Sequence, residues 1–276
     1  EGFPGVLIAS DSHWFTIACC LIYPEFSHVS NPPTPVIKPS DLPKHVGIIM
    51  DGNGRWASAR KLPRLEGHRR GAERIFDVVD SCIDLGIKNL TIFAFSVENW
   101  KRPEDEVMGL FKLGEWILRA NLNRLIKRRV RLRVIGDLEA MPDFVKIPLK
   151  EAIAISADFE ALNLVVALNY GARQEITLAA QHLAHDVAEG KIKPSDVTWE
   201  SIASRLQTSG LPDPDLIIRT SGESRLSNFL LLQSAYAEIV IVKAHWPDFT
   251  KEEFQAALLE FTKRERRFGQ ISEQLQ

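Results

Sequence analysis

The chain predicts an α/β fold, a mainly parallel central sheet flanked by helices, and three observations lead to it. Short β-branched runs alternate with longer stretches of helical periodicity from about residue 43 onward, as in sheets whose strands are joined by crossover helices. The strand runs are apolar without alternation, as in Val46-Gly47-Ile48-Ile49-Met50 and Leu216-Ile217-Ile218, which suits strands covered on both faces. A length of 276 residues with 45% hydrophobic content supplies a sizeable core.

Taken in order, the elements begin with a strand near 46–50 that delivers the turn-forming run Asp51-Gly52-Asn53-Gly54-Arg55-Trp56 as a loop. A helix near 67–85 follows and ends at Gly86, a residue suited to a left-handed cap. Next come a strand near 89–95 and a long helix near 104–129. That helix opens with Pro103-Glu104-Asp105-Glu106 and closes with Lys127-Arg128-Arg129, acids and bases placed to suit the helix dipole. Strands near 131–135 and 162–168 bracket a helix near 144–158, and helices near 173–189 and 199–207 precede strands at 215–219 and 238–242. A helix near 250–266 closes the series.

Residues 1–42 are expected to form a separate N-terminal extension, and 43–276 the folded domain. The apolar part of the extension is interrupted by Asp11 and His13 and is too short to span a bilayer, and Ser30 to Pro43 is a proline-rich linker. An organelle-targeting role and an artefact of the gene model are both open readings of this extension. Cys19, Cys20 and Cys82 show neither metal-ligand spacing nor an even count, so a reducing, cytoplasmic setting is expected. A net charge of −2 argues against a nucleic-acid partner.

In open α/β sheets ligands bind beyond the carboxyl ends of the strands. Asp51, Ser96, Asn169 and Arg219 each fall at such an end. Around them stand Arg55, Arg64, His68 and Arg225 as donors to an anion, with Asp51 and Glu238 as hard oxygen ligands for Mg²⁺. Neither a Gly-Lys-Ser/Thr ending nor a third glycine accompanies Gly52 and Gly54, which disfavours ordinary ATP or NAD sites. Two arginine groups more than 150 residues apart suggest two phosphate subsites. Asp77, Asp80 and Asp84 lie on one helical face but lack an adjacent pair, and are expected to be its solvated side.

The ordered set of Asp51 to Arg55, Arg64, His68, Phe95 to Trp100, Asp215 to Glu223, Arg225 to Phe229 and Ala235 to Glu238 resembles the cis-prenyltransferase (undecaprenyl diphosphate synthase) family. The resemblance runs from about Pro43 to Gly269. It implies condensation of isopentenyl diphosphate with an allylic diphosphate primer, farnesyl diphosphate for a medium-chain product such as undecaprenyl diphosphate. It further implies Asp51, Ser96 and Asn99 as catalytic residues. Gly52, Asn53, Gly54, Arg55, Trp56, Arg64, His68, Trp100 and Arg102 would bind the allylic substrate. Arg219, Arg225, Ser227, Arg267 and Gly269 would bind isopentenyl diphosphate, Asp51 and Glu238 would hold Mg²⁺, and Ala94 and Leu162 would line an apolar product tunnel between sheet and helices. A homodimer and a membrane-associated lipid-carrier product, with the enzyme at the membrane periphery, are part of the same implication. Ser221, Ser224 and Leu232 depart from residues common in the bacterial pattern. A short-chain Z-prenyl diphosphate synthase and a non-catalytic partner subunit are the competing readings.

Overall fold

The computed structural model describes residues 37–266. Six strands form one wholly parallel sheet: β1 (His45–Ile49), β2 (Asn89–Ser96), β3 (Val130–Ile135), β4 (Leu162–Tyr170), β5 (Leu216–Arg219) and β6 (Glu238–Ile241), in the order β3-β4-β2-β1-β5-β6. The central strand β1 is buried along its whole length. Val46 stands opposite both Leu90 and Leu216, and Ile49 stands opposite Arg219. That register brings Asp51 and Arg219 to the same rim.

The helices are α1 (Asn53–Ala59), α2 (Arg64–Leu85), α3 (Glu104–Lys127), α4 (Asp143–Ile155), α5 (Ala172–Ala188), α6 (Trp199–Ala203) and α7 (Lys251–Thr262). The larger apolar cluster joins the sheet to α2, α3, α4 and α7, and includes Phe76, Phe111, Leu149 and Phe254. A smaller cluster gathers Tyr170, Ala172, Ile217 and Phe229. The α/β architecture expected from the alternation is thus the observed one. Gly86 caps α2 at φ 84°, where a left-handed backbone suits a residue without a β-carbon.

The first departure from expectation is α1, which occupies most of what reads as a loop. Asn53 and Gly54 are poor helix formers, and tertiary packing overrides them. A β-carbon at Gly67 would lie 2.0 Å from the Asn53 carbonyl oxygen, so the glycine in α2 lets α1 lie directly against it. Helix α2 also starts three residues earlier than expected, with Pro63 at its N-cap, and so takes in Arg64. The three aspartates of α2 are not simply solvated. Asp77 pairs with Arg74, Asp80 with Arg124 and Arg128, and Asp84 with Arg128. The basic end of α3 therefore clasps α2 as well as facing solvent.

Candidate active site

The rim is built around Asp51. Its N–H donates to Thr220 Oγ1 at 2.9 Å, and its carbonyl accepts from the Thr220 hydroxyl at 2.7 Å and from the Trp246 N–H at 3.0 Å. These bonds fix the main chain from β5 and from the segment after β6. The side chain lies between two guanidinium groups, with Arg219 at 2.8 Å on one oxygen and Arg55 at 3.0 Å on the other. Burial opposes ionisation of the Asp51 carboxyl, but hydrogen bonds from Arg219 and then Arg55 outweigh it and hold its pKa below the usual carboxylate range.

Arg219 is 5% exposed. Its remaining hydrogen bonds go to Ser227 Oγ at 2.8 Å and to the Arg225 carbonyl, while its Nε has no partner in the structure. Glu223 bridges Arg55, at 2.8 Å, and Arg225. The connecting loop contains Ser221, Ser227, Asn228 and Leu230 at positive φ, 72°, 51°, 65° and 44°. Such angles cost free energy in side-chain-bearing residues and persist where surrounding contacts enforce them. Here those contacts run to Arg219, Glu98 and the start of α5.

Across the rim, Ser96 caps a short 3₁₀ turn in a reciprocal arrangement with Asn99, and its hydroxyl donates to Glu98. Glu98 also accepts from Asn228 Nδ2 at 2.9 Å, which ties the end of β2 to the Arg219 loop. Arg102 and Arg64 both reach Glu106, at 3.1 and 3.5 Å. Gly54 admits Arg64, since a β-carbon there would stand 2.9 Å from the guanidinium carbon. His68 is held neutral, its pKa lowered to about 4 by burial and then by the positive charge of Arg102. Trp100 is 44% exposed, packs edge-on against Phe95 and Phe111, and donates its indole N–H to Asn169 at 2.8 Å.

Behind this polar mouth lies a cavity of about 810 Å³. Its polar lining includes Asp51, Asn53, His68, Ser96, Asn99, Arg102, Arg219 and Ser227, and its apolar lining includes Ala94, Ile92, Phe76, Leu118, Leu132, Leu149, Leu164 and Val166. Polar and apolar lining therefore share one cavity between the sheet and helices α2, α3 and α4. Glu98, Arg173 and Asn228 also line it and were not singled out from the sequence. Arg173 follows the end of β4 by three residues, so the strand-end rule could have found it. Glu223 and Asn228 stand within the stretches that carry the family resemblance, but they act through contacts between distant segments that local sequence does not display.

Several expected residues lie elsewhere. Trp56 is 9% exposed, donates to Asp248 Oδ1 at 2.7 Å and is covered by Arg60 at 4.2 Å, so its ring packs α1 and stays out of the cavity. Glu238 begins β6 opposite Leu216, whereas Arg219 ends β5, and three residues of strand span roughly 10 Å. It pairs with Arg264 at 2.8 Å, and the structure does not bring it to Asp51. Leu162 is fully buried at the start of β4, opposite Val130, outside the cavity lining. Asn169 reaches the rim, but it braces Trp100 and the Asp137 carbonyl and does not face the cavity. Arg267 and Gly269 lie outside the described residues.

Residues 49–269 match the family model described as putative undecaprenyl diphosphate synthase. The chain is 51% identical over 241 residues to an isoprenyl transferase of Agrobacterium fabrum, covering 87% of this chain and 98% of that one. It is 48% identical over 234 residues to an isoprenyl transferase of Chlorobaculum tepidum, covering 85% and 88%. Among solved structures, lavandulyl diphosphate synthase from Lavandula x intermedia, crystallised with dimethylallyl diphosphate, superposes with a TM-score of 0.82 at 33% identity over 84% of this chain and all of that one. A probable undecaprenyl diphosphate synthase from Campylobacter jejuni gives 0.69 at 36% identity over 83% and 99%.

Proposed function

The chain belongs to the cis-prenyltransferase family typified by undecaprenyl diphosphate synthase, and from that premise we propose that it condenses isopentenyl diphosphate with an allylic diphosphate primer to give a medium-chain Z-polyprenyl diphosphate. The observation that carries this reading is the direct opening of an arginine-rich rim around one ionised aspartate onto a deep apolar cavity. A diphosphate head and a hydrocarbon tail are the two halves of such a substrate.

In this reading Arg55, Arg64 and His68, with the backbone of Gly52 to Gly54, hold the allylic diphosphate. Arg219, Arg225 and Ser227 hold the isopentenyl diphosphate. The allylic C–O bond breaks and its electron pair leaves with the diphosphate. The isopentenyl double bond attacks the cation, and loss of one proton restores a double bond of Z geometry. Arginine donors aimed at the departing group stabilise the charge that develops there. On the same reading Ser96 and Asn99, held together by their mutual cap, would align the isopentenyl group and take up its proton, and Trp100 belongs to the loop beside them.

The donor set fits Mg²⁺. Among the described residues no three acidic, histidine or cysteine side chains gather as a cluster. Asp51 offers one ionised carboxylate, and Mg²⁺ commonly takes one or two carboxylates and completes its shell with substrate phosphate oxygens and water. When bound, it would neutralise charge on the diphosphate. Glu238 could join only from a site away from the Asp51 rim, and we assign it no part within one chain. A homodimer completed by the Arg267 to Gly269 ending belongs to the same proposal, as does a membrane-associated product. No helix among the described residues is long and apolar enough to cross a membrane.

A short-chain synthase is the second reading, favoured by the likeness to lavandulyl diphosphate synthase. Incubation with farnesyl diphosphate, radiolabelled isopentenyl diphosphate and Mg²⁺, with an EDTA control, separates the two. Metal-dependent products near fifty-five carbons are expected from eleven units. Products of ten to twenty carbons would move the assignment to the short-chain class, and no product with farnesyl, geranyl or dimethylallyl primers would refute both.

A further inference from the structure

Gly52 stands between Asp51 and Asn53, which both line the cavity, but does not line it itself. It caps α1 from the left-handed region, at φ 100° and ψ 0°. A β-carbon built on it would collide with Ser221 Oγ and lie 2.6 Å from His245 Nδ1, so these two side chains press directly on the main chain there. Neither of them lines the cavity. Any effect they have on a bound substrate therefore passes through the Asp51 to Gly54 backbone.

Ser221 Oγ donates to the Asp51 carbonyl at 3.0 Å and lies 2.7 Å from His245 Nδ1. A hydroxyl has one proton and a carbonyl can only accept. With that proton on the Asp51 carbonyl, the Nδ1–H of His245 donates to Ser221 Oγ, which sets the tautomer of the ring and turns the serine toward Asp51. Ser221 holds this place against its own backbone preference, since its φ of 72° is one that glycine adopts freely and serine does not. Its N–H donates to the Ala244 carbonyl at 2.8 Å, a bond that glycine would keep, so what the serine adds is its two side-chain bonds. His245 is itself well anchored. Its carbonyl accepts from the Asp248 N–H at 2.8 Å, and the next residue, the buried Trp246, donates its indole N–H to the Gly71 carbonyl of α2 at 2.6 Å.

We propose that Ser221 and His245 are positioning residues for the allylic diphosphate. The pair holds the Asp51 carbonyl and the left-handed Gly52, and through them the N–H groups of Gly52 to Gly54, in the geometry that receives the anion. This role rests on the prenyltransferase reading above, in which that segment binds the primer. Without the hydroxyl or the imidazole the space beside Gly52 opens, and the segment has to become ordered as the primer binds, a loss that falls on primer affinity.

The test compares wild type with Ser221→Gly, His245→Leu, their double variant and His245→Asn in steady-state kinetics with farnesyl diphosphate, isopentenyl diphosphate and Mg²⁺. Glycine suits the backbone angle at 221, and leucine fills the place of the imidazole without a polar atom. Each single variant should raise the Michaelis constant for the primer about fivefold, the equivalent of one neutral hydrogen bond, and change that for isopentenyl diphosphate by less than about twofold. The double variant should be no worse than about fivefold, because either substitution breaks the same link. In His245→Asn the side-chain amide can donate in place of Nδ1–H, and the primer's constant should return to near the wild-type value. A pair with a merely structural role would lower the thermal midpoint and leave the primer's constant unchanged, or raise both constants alike. Either result would overturn the inference, as would effects that multiply in the double variant. Calorimetric titration with farnesyl diphosphate and Mg²⁺, without isopentenyl diphosphate, needs no turnover and should show the same loss in His245→Leu and the same recovery in His245→Asn. Equal affinities in all three proteins would overturn the positioning role while leaving the enzyme reading intact, and a wild type that binds no farnesyl diphosphate would overturn both.

Discussion

Replacing Asp51 by asparagine should separate its structural role from its chemical one. The carboxylate is 26% exposed and faces Arg219, which is 5% exposed. Removing its charge leaves that guanidinium with Ser227 Oγ and the Arg225 carbonyl as its remaining acceptors. Breaking a fully buried ion pair costs about 3–5 kcal/mol, and a hydrogen bond to a charged group contributes about 1.5–3 kcal/mol. With two acceptors retained and Arg55 free to relax into solvent, a loss of about 2 kcal/mol is expected in urea unfolding at pH 7.5.

Ligand binding sharpens the experiment. In EDTA, inorganic diphosphate should bind Asp51→Asn about tenfold more tightly than wild type, a difference of about 1.4 kcal/mol, because Arg55 and Arg219 no longer have an internal anion. With Mg²⁺ the order should reverse, and turnover should be lost in the variant. Calorimetric titration and denaturant melts in both buffers read these quantities. A variant as stable as wild type that binds diphosphate no better without metal would refute the paired-charge account of the rim.

Other perturbations test neighbouring claims. Trp56→Phe should cost about 1 kcal/mol through the lost bond to Asp248 and leave both Michaelis constants within twofold; a large rise in either would return Trp56 to the substrate site. Arg225→Ala should raise the Michaelis constant for isopentenyl diphosphate more than that for the primer, and equal effects would argue against separate subsites. His68 gives a pH signature: its pKa is about 4 in the fold against about 6.5 unfolded. Between those values the unfolded chain binds more protons, so stability is full above pH 6.5 and falls as pH drops toward 4, by up to about 3 kcal/mol. Urea melts at pH 7.5 and 5 should show that slope reduced in His68→Gln, and an equal slope in both proteins would assign it to other groups.

Much of the site was legible because strand ends are legible. The apolar runs locate β1, β2, β4 and β5, and the carboxyl-end rule then places Asp51, Ser96 and Arg219 on one rim, where the structure also puts them. Trp56 was misplaced because it adjoins the Asp51 motif, and adjacency cannot reveal that α1 turns the ring toward Asp248. Glu238 was misplaced for a related reason. As a β6 residue it belongs to the right strand, but at the amino end, and that direction is set by its register against Leu216.

Sequence alone determined the alternation of elements, the parallel sheet it requires and the inventory of cations and carboxylates available for phosphate chemistry. These follow from short-range propensity and side-chain type, which any window of the chain displays. Tertiary structure alone decided that Asp51 is shared by Arg55 and Arg219, that α1 is helical, and that one face of α3 looks into the cavity. Each of these depends on contact between segments far apart in the chain. Such contacts are fixed by packing and strand register, to which local sequence is blind.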